Sequence, residues 1–123
     1  MSDSIALPVT TYGPRVFKIK QGDTHDPILF VARDQRQRVL SIAGATSVSL
    51  KFSLADGSGT LQTRAASYQD PNAGQMKYQW VAGDTAIAGD YNAAWTVVYA
   101  DGTVQTFPTD STFQKFTIEP ALV

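Results

Sequence analysis

Apolar and polar residues alternate along most of this sequence with the period of two that is typical of β-strands. The longest alternation covers residues 91–99 and places one row of apolar side chains on a single face: Tyr91, Ala93, Trp95, Val97 and Tyr99. A second alternation covers residues 47–54, where the shared face carries Val48, Leu50, Phe52 and Leu54. Each of these strands is therefore expected to cover a core on one side.

Shorter strands are predicted at residues 15–20, 27–33, 36–40, 60–65, 76–80, 103–108 and 111–118, with turns rich in Gly, Asn and Asp between them. The apolar run within 27–33 predicts a strand that is buried on both faces or nearly so, and residues 41–45 have room for one helical turn. No segment shows a helical period. The pattern predicts an all-β fold, an immunoglobulin-like two-sheet antiparallel β-sandwich.

The approach to the longest strand has the features of a corner. Asp84 and Gly89 precede Tyr91, and in immunoglobulin-like sandwiches a tyrosine at this place donates its hydroxyl hydrogen to backbone a few residues upstream. Such a bond fixes the crossing of the chain from one sheet to the other. We therefore predict a structural corner formed by Asp84, Gly89 and Tyr91.

The chain has 123 residues, which is enough for one domain with a core. Residues 15–123 are expected to form this β-sandwich domain. Residues 1–14 contain prolines and spaced apolar residues, which predict an extended N-terminal arm. The arm packs either on its own domain or on a neighbouring subunit, and in the second case its interface candidates are Leu7, Val9 and Tyr12.

The charge of the chain excludes an electrostatic footprint for nucleic acid or an anionic membrane, because the net charge is −1 and only 17% of residues are charged. There is no cysteine for a disulfide or a thiol nucleophile. No apolar run is long enough to cross a membrane, and the N-terminal residues lack the pattern of a signal peptide. We expect no nucleic-acid partner, no membrane insertion and no secretion by a signal peptide.

Candidate chemistry is sparse. The single histidine, His25, lies in a turn with Asp23 and Asp26, but no second histidine completes a usual metal shell. The acidic residues are spread singly through turns, and no phosphate-binding loop or nucleophile elbow occurs. We expect no catalytic residue, no metal, no cofactor and no enzymatic activity.

Surface features leave alternatives open. Arg36 and Arg38 form a basic turn, either a solvated edge that discourages strand addition or a contact for an acidic partner. Ala94 and Val98 make the second face of strand 91–99 apolar too, so another element or a neighbouring subunit covers it. One set of aromatic residues is either core or a platform for a sugar: Tyr78, Trp80, Trp95 and Tyr99.

Short motifs follow one another in a set order along residues 15–118. They are QGDT (21–24) before ILF (28–30), IAGAT (42–46) before VSLKF (48–52), DG (56–57), GQMKYQW (74–80), GDY (89–91), YADG (99–102) and TFP (106–108). In this order and spacing the chain resembles the N-terminal domain family of phage baseplate upper proteins (the BppU type).

The resemblance implies an immunoglobulin-like domain of a tailed-bacteriophage virion that serves assembly and docks a fibre or receptor-binding module onto the tail or baseplate. Because the sequence ends at Val123 without a stalk, we expect an adaptor, connector or decoration protein. Its partners would be other virion proteins and copies of itself in a homo-oligomer, and it would assemble into the virion in the host cytoplasm. The alternative is a carbohydrate-binding module that contacts host surface glycans.

Overall fold

The computed structural model describes residues 16–109 and 112–121. Its strands are β1 (Phe17–Lys20), β2 (Ile28–Val31), β3 (Ala45–Leu54), β4 (Gln62–Asp70), β5 (Gln75–Tyr78), β6 (Gly89–Tyr99), β7 (Val104–Phe107) and β8 (Gln114–Glu119). The helical content of the described residues is one short 3₁₀ turn, Pro71–Ala73. The prediction of an all-β sandwich fold is confirmed. The predicted arm, with Leu7, Val9 and Tyr12, lies outside the described residues.

The strands follow the order β1-β8-β6-β3-β4-β5-β2, and β7 pairs with the second half of β6. Strand β4 belongs to both layers, because residues 62–66 pair with β3 and residues 67–70 pair with β5. The sheet that contains β1, β8, β6, β3 and β7 is called the main sheet below. It faces the smaller layer of β5 and β2, so that the whole is a sandwich that nearly closes into a barrel.

The core lies between the layers and is built largely from aromatic side chains. Trp95, Phe52, Phe107 and Phe116 are almost completely buried. Tyr91 stacks on Phe116 with ring centroids 4.9 Å apart. The inner row of β6 that the sequence predicted is buried up to Val97, and Tyr99 at its end is partly exposed. The period of two therefore identified the face of β6 correctly.

Several local predictions need correction. Strand β2 is not buried on both faces: Ile28 points into the core and is fully buried, whereas Leu29 points to the outer face of the smaller layer and is 53% exposed. Residues 36–40 form a turn with a single bridge between Arg33 and Val39 rather than a strand. Residues 41–45 contain a hydrogen-bonded turn, in which the backbone N–H of Ala45 donates to the oxygen of Ile42 (2.9 Å), and the start of β3, not a helix. The sheet is antiparallel except for β1 and β8, which run parallel.

Candidate assembly surface

The outer side of the main sheet presents a face of small side chains. Cross-strand pairing aligns Ala65, Ser49, Thr96 and Thr106 in one row across β4, β3, β6 and β7. Neighbouring rows follow the same strands. We call this set the outer face: Thr63, Ala65, Ser47, Ser49, Lys51, Ala94, Thr96, Val98, Val104 and Thr106. Because these residues alternate with the core row, their side chains all point away from the core.

The outer face is nearly free of charge. Lys51 is the charged member of the set, and the hydroxyl and methyl groups of the others give a shallow surface of mixed polarity. Val104 is 60% exposed, whereas its cross-strand neighbour Val98 and the nearby Ala94 are partly buried within the sheet. No further element of the described residues covers Ala94 and Val98 as a layer, which leaves open the alternative of a neighbouring subunit.

Two hydrogen bonds, each with one charged side chain, lie at one margin of this face. On β8, Lys115 Nζ donates to Asn92 Oδ1 (2.9 Å), and the hydroxyl of Thr117 donates to the carboxylate of Asp90 (2.8 Å). These bonds occupy the polar groups along the β6–β8 pairing. A partner that lies on the outer face would therefore meet the uncharged row of Ser49, Thr96 and Thr106 over β3, β6 and β7, with Lys51 next to it on β3.

The basic turn lies elsewhere, at the end of β2. Asp34 accepts hydrogen bonds from the backbone N–H groups of Arg36 (2.8 Å) and Arg38 (3.0 Å), and Arg38 Nε lies 3.3 Å from its second oxygen. The backbone N–H of Arg38 is the main cause that lowers the pKa of the Asp34 carboxyl below its usual value. Arg38 is thus partly paired within its own turn, while Arg36 is exposed.

The predicted corner contains the bond that defines such corners. The hydroxyl of Tyr91 donates to the backbone oxygen of Ile87 (2.7 Å), four residues upstream. Gly89 lies between them with φ = 150°, and a Cβ at this position would be 2.8 Å from Leu54 Cδ2. The backbone conformation and the packing of Leu54 both favour glycine here.

Asp84 was predicted to form the corner with Tyr91, but its side chain makes no hydrogen bond to Tyr91 and binds residues of β4, β5 and the following loop instead. Its side chain is 1% exposed and forms an ion pair with Arg64 of β4, whose Nε lies 3.0 Å from Oδ1. The second carboxylate oxygen accepts from the Tyr78 hydroxyl and from the backbone N–H of Val81. Asp84 therefore connects β4, β5 and the loop that follows β5.

Thr85 ties the same loop to the turn after β1. The residue is 1% exposed. Its hydroxyl donates to the backbone oxygen of Asp23 (2.9 Å) and accepts from the backbone N–H of Gly22 (3.1 Å). With these bonds the polar groups of a buried threonine are satisfied. Sequence reasoning missed both Arg64 and Thr85, because their partners are far away in the chain.

Burial changes the pKa values of three tyrosines, two near this loop and one at the end of β6. Burial is the main cause that raises the pKa of Tyr78, and its hydrogen bond to Asp84 adds to the rise. Burial also raises the pKa values of Tyr91 and Tyr99. These hydroxyls therefore stay protonated at neutral pH and serve as hydrogen-bond donors.

The aromatic residues considered for sugar binding belong to the core. Trp95 is fully buried, and Tyr78 and Trp80 are 4% and 3% exposed. Tyr99 is partly buried at the end of β6 and donates to Gln105 Oε1 (3.1 Å). The core interpretation of these rings is confirmed, and they form no platform that a sugar can reach.

His25 lies at the surface with a side chain that is 98% exposed, and its Nδ1 is 3.1 Å from an Asp26 oxygen. Within residues 16–109 and 112–121, no group of three or more histidine and acidic side chains converges as a metal site would require. The same residues include no helix long and apolar enough to cross a membrane.

One further arrangement, which the sequence did not indicate, closes the sandwich opposite β4. Gln114 at the start of β8 accepts a hydrogen bond from the indole Nε1 of Trp95 (2.6 Å) and donates from Nε2 to the backbone oxygen of Leu29 in β2 (3.0 Å). We call the boundary between β2 and the start of β8 the seam. A single side-chain amide thus joins the two layers there.

No family model matches the sequence, and no curated protein matches it significantly. The resemblance to the baseplate upper protein family thus has only the motifs quoted above as its support and stays a prediction.

Proposed function

We propose that this protein is a structural component of a tailed-bacteriophage virion, an adaptor, connector or decoration protein that acts through protein–protein contacts. The observation that carries the proposal is the outer face. It is a shallow surface on paired strands whose only charged member is Lys51, and charged side chains are depleted at the centres of protein interfaces.

The order of motifs supports the phage setting, and the fold supports a role in assembly. Assembly in a virion repeats one contact many times, so that even a modest interface is multiplied by symmetry. The outer face offers such a contact without a moving part, because paired strands support it on both sides of β6. The partner is expected to be another virion protein or a further copy of this chain.

The carbohydrate-binding alternative receives no support from the rings on which it depended, since Tyr78, Trp80 and Trp95 are buried. We therefore do not propose it as a second function.

The proposal is tested with particles from the host that carries the gene. The gene is deleted from the phage and supplied in trans, and the purified particles are analysed by quantitative mass spectrometry. We expect the chain in the particles in multiple copies. If purified, tail-bearing particles lack it while the lysate contains it, the proposal is wrong.

A pair of variants tests the outer face itself. Val104→Lys places a charge on this face, and Ile87→Lys places the same charge on an equally exposed apolar residue of the loop before β6 (60% and 62% exposed). We expect the amount of Val104→Lys in particles to fall at least about tenfold, because a buried unpaired charge opposes association, while Ile87→Lys is incorporated normally. Equal incorporation of both variants would exclude the outer face as the contact.

A further inference from the structure

The outer face carries one charge and no carboxylate. Lys51 lies on β3, where it is paired with Thr63 of β4 and Ala94 of β6. Its side chain is exposed, because its neighbours along the strand, Leu50 and Phe52, point into the core. The other members of the outer face are alanine, valine, serine and threonine. The face is therefore positive, and its charge is concentrated at one point.

The residues around Lys51 do not compensate this charge. The next side chains along β3 on the same side are Ser49 and Ser53, and the residue opposite Ser53 is Asn92. Within the part of the chain that the structure describes, Lys51 takes part in no ion pair and no side-chain hydrogen bond, whereas Lys115 at the margin donates to Asn92. The ammonium group of Lys51 therefore depends on solvent.

A partner that covers the outer face takes this solvent away. A charge that is buried without a counter-charge is costly, and an opposite charge at hydrogen-bond distance offsets the cost. Among protein side chains, the carboxylates of aspartate and glutamate both neutralise an ammonium group and accept its hydrogen bonds. The partner is therefore expected to present a carboxylate opposite Lys51.

The same charge argues against a second outer face as the partner. In a two-fold contact one surface patch meets its own copy, so the patch has to be complementary to itself. Two outer faces would bring two ammonium groups and no carboxylate into one interface, and neither copy would supply the acid that the other needs. The complementary surface is therefore one of different composition.

From this distribution of charge we propose that Lys51 determines which partner the outer face accepts, by forming an ion pair with an aspartate or glutamate of a different virion protein. The inference rests on the proposed function, in which the outer face is an assembly contact, and it decides between the two kinds of partner named there. The small side chains around Lys51 provide the area of the contact, and the ion pair fixes its position and its specificity.

Zero-length crosslinking in purified particles tests the ion pair with the unmodified chain. A carbodiimide activates a carboxylate, and an amine in contact with that carboxylate displaces the activating group and forms an amide, so that only touching groups are joined. Peptide mass spectrometry then identifies the group joined to Lys51. The control is Lys77, which points away from the core on the smaller layer because it lies between the buried Met76 and Tyr78.

We expect an amide between Lys51 and an aspartate or glutamate of another virion protein, and no amide between Lys77 and that protein. A crosslink from Lys51 to a further copy of this chain would overturn the proposal in favour of a contact between copies. The proposal would also be overturned if Lys51 formed no crosslink and reacted with an acylating reagent as fast in particles as in the free protein.

Charge reversal provides a second readout. We expect the amount of Lys51→Glu in particles to fall at least about tenfold, because two carboxylates then face each other, while Lys77→Glu is incorporated normally. Changing the crosslinked acid of the partner to lysine should restore the incorporation of Lys51→Glu, which a purely structural role of Lys51 does not predict. Failure of this exchanged pair, with both variants folded as judged by their unfolding midpoints, would contradict the ion pair.

The two proposals fail in different ways. Tail-bearing particles that lack the chain contradict the proposed function and, with it, the ion pair. Particles that exclude Val104→Lys but take up Lys51→Glu as well as the unmodified chain contradict the ion pair alone, and the outer face remains a contact.

Discussion

The sandwich is held across its layers in two unlike ways, at the corner before β6 and at the seam. At the corner, the buried side chains of Asp84 and Thr85 and the hydroxyl of Tyr91 bind partners in several elements. At the seam, the amide of Gln114 makes the connection between β8 and β2. Several buried bonds stabilise the corner, whereas at the seam two hydrogen bonds of one residue, Gln114, connect the layers. The loss of one residue should therefore change stability differently in the two places.

Asp84→Ala is expected to have the largest effect, because it removes a buried carboxylate that accepts from Arg64, Tyr78 and Val81 and leaves the buried Tyr78 hydroxyl without its acceptor. We expect the free energy of unfolding to fall by about 3 kcal/mol. Chemical denaturation measures it, with Asp90→Ala as the control, since Asp90 is exposed and its loss should cost less than about 0.5 kcal/mol. Equal effects of the two variants would show that the corner is not held by Asp84.

Gln114→Ala tests the seam. It leaves the indole N–H of the fully buried Trp95 without its acceptor and removes the bond to Leu29. We expect a loss of about 2 kcal/mol, the usual cost of an unsatisfied buried donor plus a lost bond. Lys115→Ala, one residue further along on the outside of β8, is the control and should change stability by less than about 0.5 kcal/mol. A loss as small as that of the control would mean that the layers meet at the seam without help from Gln114.

Tyr91→Phe removes a single bond of the corner and keeps the ring that stacks on Phe116. The expected loss is about 1 kcal/mol, measured as a shift of the unfolding midpoint. Tyr68→Phe, at a tyrosine that is 42% exposed, should leave the midpoint unchanged. An unchanged midpoint in Tyr91→Phe as well would mean that the hydrogen bond to Ile87 does not stabilise the corner.

Alkaline pH provides the mildest perturbation. The pKa values of Tyr78, Tyr91 and Tyr99 are raised in the folded state, so this state holds its protons more tightly than the unfolded chain does. Their contribution to stability is complete below the unfolded pKa near 10 and is lost progressively as the pH rises from there through the raised pKa values of the folded state. Denaturation at pH 8, 10 and 11 measures it. A stability that is constant over this range would contradict the raised pKa values.

The comparison also separates what could be predicted from the sequence from what could not. Local patterns in the sequence predict the strands β3 and β6 and the corner tyrosine near the start of β6. The strands follow from a period of two, and the tyrosine follows from its short spacing to Asp84 and Gly89. The partners of Asp84 and Gln114 do not, because Arg64 is 20 residues from Asp84, and Leu29 is 85 residues from Gln114. Such contacts depend on the order of the strands in the sheet, and the alternation of apolar and polar residues does not predict that order.

The same reason explains the error at β2. Its run of apolar residues indicates a strand, but whether both faces are covered depends on the layers packed against it, and β2 packs on the core with one face and exposes Leu29 on the other. The outer face was likewise visible only in part: Ala94 and Val98 could be named from one strand, whereas Ser49, Thr96 and Thr106 became one row only through pairing.

The sharing of β4 between the two layers has a consequence for how the protein unfolds. Since one continuous backbone hydrogen-bonds to β3 in its first half and to β5 in its second, the smaller layer is joined to the main sheet through β4, and both layers cover one shared core. Heating or mechanical load should therefore produce a single all-or-none transition rather than stepwise loss of one layer. In the role proposed above, each copy in the particle would then be either intact or lost as a whole, with no half-open form to bind the wrong neighbour.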